Sequence, residues 1–65
     1  MSNDAKLWKE LVDFNEKEVP FCYRAEAAKY MAYVLHRWDI LEMYYRTQDD
    51  AGYRYQLMAE VSKEA

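Results

Sequence analysis

The chain has 65 residues, 52% of them hydrophobic and 17% aromatic, with one Gly, one Pro, one Cys and a formal charge of −3. That length admits one small domain and excludes a multidomain enzyme, and a single cysteine excludes an intrachain disulfide. Folding at this size buries only about 60% of the exposable surface, so association with a partner is the favoured supplement to a thin core.

The first segment opens with Ser2, Asn3 and Asp4, residue types that cap the free N–H groups of a helix starting near Ala5. Leu7, Trp8, Leu11 and Phe14 then fall on one arc of about 120°, with Val12 at its border. Lys6, Lys9, Glu10, Asp13, Glu16 and Lys17 fill the opposite side. The pattern predicts an amphipathic helix over 4–18, bounded by Pro20, which disfavours helical backbone at residue 19.

Pro20 also suits an early position of a following helix, where its missing N–H is not needed. From Phe21 to Thr47 there is no Gly or Pro, and Ala, Met, Leu and Glu are abundant, so the sequence predicts one long helix over 21–47. Ala27, Met31, Val34, Trp38, Leu41 and Tyr45 are spaced 4, 3, 4, 3, 4, the signature of a core or oligomer seam. Tyr30 and Leu35 widen that seam, and Ala25, Ala28 and Ala32 form a strip that another backbone can approach. Tyr33, Ile40 and Tyr44, with Arg37 among them, form a further group away from it. A helix apolar on more than one face is either buried between neighbours or presents a face to a partner.

Thr47-Gln-Asp-Asp-Ala-Gly52 concentrates turn and cap chemistry. Beyond it the sequence favours a third helix over 50–63, capped by Asp49 or Asp50, with Tyr53, Leu57, Met58 and Val61 on one face. The alternative is a β-hairpin pairing residues 44–48 with 53–57, which tyrosine and threonine favour but which is marginal in isolation. The expected fold is therefore all-α, a single small bundle of two to three helices with one long central helix. The alternative is a helical hairpin followed by a C-terminal β-hairpin.

Acidic residues outnumber basic ones by twelve to nine, and no Lys/Arg block stands out, which makes nucleic acid unlikely as a direct ligand. No apolar run is long enough to span a bilayer, and the opening residues do not read as a signal peptide. A lone thiol suits a reducing setting, so the expected location is cytoplasmic and the chain is not expected to engage a membrane.

Catalytic chemistry needs a second group within hydrogen-bond reach of a base or nucleophile. His36, the sole histidine, has Asp39 three residues on and Glu42 six residues on, the latter pointing away. His36 and Asp39 could supply two metal ligands, but they read more simply as a solvated ion pair. Cys22 sits near the start of the predicted second helix, with Arg24 close by; a small buried apolar role is expected there. With no Gly-rich phosphate loop, no Cys-x-x-Cys pair and no Ser/His/Asp set, the chain is not expected to be an enzyme or to need a cofactor or metal.

The remaining cluster is Tyr44, Tyr45, Arg46, Tyr53, Arg54 and Tyr55, residue types enriched in protein interfaces. The expected partner-binding set is Tyr33, Arg37, Ile40, Tyr44, Arg46, Tyr53, Arg54 and Tyr55. An acidic face of Asp4, Glu10, Asp13 and Glu16 adds an electrostatic option against a basic groove on a partner. The functional expectation is a non-enzymatic protein-interaction module, a small inhibitor or adaptor docking on a larger macromolecular assembly. Its size and composition are analogous to phage-encoded anti-defence proteins, anti-CRISPR proteins among them. The alternatives are a homo-oligomeric helical subunit, such as a homodimer, and a nucleic-acid-binding module built on the Tyr/Arg cluster.

Overall fold

Residues 2–64 are described by the computed structural model and form four helices: α1 (Asn3–Lys17), α2 (Arg24–Tyr33), α3 (Trp38–Asp49) and α4 (Ala51–Glu64). This corrects the expected two to three helices around one long central helix, because the four are comparable, 15, 10, 12 and 14 residues long. The alternative C-terminal β-hairpin is also overturned, since residues 44–57 are helical on both sides of Asp50.

The Ser2 hydroxyl caps α1, accepting from the Ala5 N–H at 3.2 Å, and donates to the Glu60 carboxylate at 3.0 Å. One side chain thus satisfies a helix terminus and ties it to α4. Past the other end of α1, the Asn15 side-chain amide donates to the carbonyls of Val19 (3.0 Å) and Cys22 (2.9 Å). Those two bonds tie down the loop around Pro20.

The long helix expected over 21–47 begins only at Arg24 and is interrupted at residues 34–37. The reason is tertiary. Residues 24–49 as one straight helix would run about 39 Å, whereas the molecule measures 28 Å along its longest axis. Folding α3 back on α2 buries Ala27, Ala28, Met31 and Ala32 together with Ile40 and Leu41. Packing of apolar faces supplies most helical stability in proteins, and here it outweighs local propensity.

The α3–α4 joint is a single residue. Asp50 is extended (φ −136°, ψ 98°) and ends α3. Its Oδ1 accepts from the Tyr53 N–H at 3.1 Å, so it also caps α4. Gly52 and Thr47 both lie inside helices. Thr47 is buried, with its hydroxyl donating to the Tyr44 carbonyl at 2.6 Å.

Helices α1 and α3 each pack on all the others, whereas α2 and α4 flank them and do not touch each other. Leu7, Trp8 and Leu11 of α1 meet the α2 alanines and Met31, Ile40, Leu41 and Met43 of α3, and Leu57 of α4. Leu11, Ile40 and Leu57 are the largest fully buried apolar side chains, each contributing about 1.5–3 kcal/mol. The accessible surface is 4523 Å², close to the roughly 4400 Å² typical of a folded monomer of this mass. The core closes within one chain.

Candidate interaction surface

The turn between α2 and α3 contains neither glycine nor proline, so another residue must take the backbone around the corner. His36 does so at φ 59°, the one positive-φ residue among those described. A hydrogen bond from the Arg37 N–H to the Met31 carbonyl (2.8 Å) closes the turn around it. The Arg37 side chain then fastens the corner to the rest of the fold. Its Nη2 donates to Glu10 of α1 at 2.6 Å, and Nε and Nη2 bond the two Asp39 oxygens at 3.2 and 3.3 Å.

The guanidinium, through those bonds, holds the Asp39 carboxyl below its usual range, and Asp39 and Glu10 in turn raise Arg37. All three side chains are more than a third exposed, so water screens the pairs and each contributes at most about 1 kcal/mol. Their role is to fix direction.

Large apolar side chains stand in solvent at this fixed corner. Tyr33, at the end of α2, is 65% exposed, and Trp38, at the start of α3, is 46% exposed. Their rings meet edge to face, with centroids 4.8 Å apart at 80°, the arrangement that ring quadrupoles favour. Val34 and Leu35 are exposed between them. On the adjoining face of α2, Tyr30 stacks on Phe14 at 5.6 Å and lines a groove of about 320 Å³ with Val19, Cys22, Glu26, Lys29 and Tyr33.

The eight residues expected to bind a partner do not form one surface. Tyr33 is at the corner, and Arg37 beside it is committed to ion pairs. Ile40 is fully buried and belongs to the core, a correction that follows from the rotation α3 acquires at the break. Tyr44 is half-buried against the core. Arg46 lies 4.0 Å over the Tyr53 ring, and the Tyr53 hydroxyl donates to Asp4, which is also 3.8 Å from Arg46. Arg54 and the exposed Tyr55 stack on each other on α4, at 5.3 Å.

The expected seam is split by the same break. Ala27, Met31 and Leu41 are buried, whereas Val34, Trp38 and Tyr45 are exposed. Of the acidic face, Asp4 and Glu10 are taken up by Tyr53 and Arg37, while Asp13 is half-buried and Glu16 exposed. Burial first, then the bond to Asp4, pushes the Tyr53 hydroxyl up to about 12. Cys22, expected to be small and buried, is exposed in the α1–α2 loop.

His36 and Asp39 are not neighbours on one helix turn, because His36 precedes α3 and Asp39 engages Arg37. Among the described residues no group of three or more His, Cys, Asp or Glu side chains is placed to hold a metal. None of the helices described is long and apolar enough to cross a membrane.

Sequence reasoning missed Phe21 and Tyr23, which project from the α1–α2 loop at 101% and 86% exposure. Their position beside Pro20, outside any regular apolar period, was the available signal. No protein-family model, curated protein or solved structure matches this chain.

Proposed function

We propose that this chain is a non-enzymatic protein-interaction module that docks, as an inhibitor or adaptor, on a larger macromolecular assembly through the α2–α3 corner. The observation that carries this reading is the exposed Tyr33–Trp38 pair, flanked by Val34 and Leu35 and held by the Arg37 contacts. Aromatic side chains on rigid backbone lose little freedom on binding and dominate interface energetics. The anti-defence role suggested by size and composition is a narrower form of the same proposal.

A nucleic-acid reading has less support. Arg46 is stacked on Tyr53 within reach of Asp4, so the basic and aromatic groups it needs are partly occupied inside the protein.

The test is affinity capture from the native host with three baits: the intact chain, Tyr33→Ala with Trp38→Ala, and Met58→Ala as a control on α4. The corner variant is expected to lose proteins that the other two retain, with its helical circular dichroism unchanged. Identical recovery by all three baits would refute the assignment.

A further inference from the structure

We propose that the outer face of α3 receives a Lys/Arg-bearing segment of the partner protein along Trp38, Glu42, Tyr45 and Asp49; this rests on the docking proposed above and names its partner's chemistry. At 3.6 residues per turn these four side chains fall within an arc of about 60°, opposite the buried Ile40, Met43 and Thr47. All four are exposed. They form a stripe roughly 16 Å long in which aromatic rings and carboxylates alternate. It begins at the corner, where Trp38 meets Tyr33.

Both kinds of side chain select the same sign of charge. A carboxylate attracts an ammonium or guanidinium group, and so does the electron-rich face of a Trp or Tyr ring. The aliphatic stem of a lysine or arginine meanwhile covers apolar surface such as Val34 and Leu35. Nothing on α3 supplies that cation from within. Arg46 is the one basic residue of the helix and lies one turn after Glu42, yet it turns to the Tyr53 ring and Asp4. Arg37, just before the helix, is taken by Glu10 and Asp39. Among the described residues the Glu42 and Asp49 carboxylates therefore have no ion-pair partner. A nucleic-acid phosphate or an acidic protein would meet repulsion at this face.

Tryptophan emission reads the stripe, because Trp38 is nearly half exposed whereas Trp8, the other tryptophan, is buried. The intact chain is titrated with a short helical peptide of Leu, Ala and Lys whose lysines lie on one face, and with a twin carrying Glu for Lys. The lysine peptide is expected to bind, more weakly as salt is added, and the glutamate twin is not. Glu42→Gln with Asp49→Asn is expected to weaken binding roughly three- to tenfold, the size of two exposed ion pairs. Glu16→Gln with Glu18→Gln removes the same charge at the end of α1 and is expected to leave binding unchanged. Equal binding of the two peptides, binding of neither, or a first double variant that binds no more weakly than the second overturns the proposal. Host proteins that need Tyr33 and Trp38 but are captured equally by the Glu42→Gln, Asp49→Asn bait also overturn it, and leave docking at the corner standing.

Discussion

Replacing His36 with glycine is expected to stabilise the protein. His36 is held at φ 59°, where an L-residue's Cβ crowds the following carbonyl at a cost of about 1–2 kcal/mol. Glycine removes that crowding but makes the unfolded chain more flexible, returning about 0.5–1 kcal/mol. Among the described residues the imidazole is exposed and has no hydrogen bond or ion pair, so its removal forfeits little. The net gain is about 0.5–1 kcal/mol, which in a domain of this size raises Tm by about 2–8 °C. Thermal melts by circular dichroism, with urea titrations for the free energy, measure it directly. His36→Val supplies the opposite sign, because a β-branched side chain suits positive φ least. A glycine variant that melts below the parent, or a valine variant that melts with it, would show that the corner does not carry this strain.

Ile40→Ala is expected to cost about 2–5 kcal/mol, because the side chain is fully buried. Trp38→Ala is expected to cost less than about 2 kcal/mol because nearly half of it already meets water; urea titration of both variants should give that order, and the reverse order would put the seam back in the core. Tyr53, shifted up to about 12 from 10.0, favours the neutral hydroxyl in the folded state. Its contribution to stability is therefore complete below pH 10 and is lost as pH rises from about 10 to 12. The stability difference between the parent and Tyr53→Phe, followed by denaturant titration, should shrink across that window, and a constant difference would count against the bond to Asp4.

The ends of the outer helices were legible where a side chain makes the cap. Ser2 accepts from Ala5, and Asp50 both stops α3 and starts α4, each performing chemistry that its residue type announces. The apolar arc of α1 was legible too, since Leu7, Trp8 and Leu11 are the side chains it buries besides Ala5. The break at 34–37 was not. Val34-Leu35-His36-Arg37 contains no turn residue, and its cause is the gain from folding one apolar helix face onto another, which no local window holds. The exposed loop aromatics Phe21 and Tyr23 were hidden for a related reason: predicting a helix from residue 21 assigned them to regular structure that begins only at Arg24.

The break at residues 34–37 decides which side chains meet water. In an uninterrupted helix the seam Ala27, Met31, Val34, Trp38, Leu41, Tyr45 would share one face. Interrupting it at His36 resets the phase, so that α3 buries Ile40, Leu41, Met43 and Thr47 while Trp38 and Tyr45 turn outward. Inside and outside are exchanged for side chains whose chemistry is unchanged. Aromatic residues suited to a core thus stand in water at a corner that Arg37 ties to both Glu10 and Asp39. Were the exposure only the overflow of a small hydrophobic chain, large apolar residues would be scattered over all four helices. Instead Tyr30, Tyr33, Val34, Leu35 and Trp38 follow one another within residues 30–38, while Phe21 and Tyr23 stand in the α1–α2 loop, Tyr45 on α3, and Tyr55 and Met58 on α4. The run of exposed side chains at the strained turn is the surface the proposed docking would use, and it ties the two tests together. His36→Gly should keep the corner and its binding while raising Tm, whereas Trp38→Ala should lose the binding at little cost to the fold.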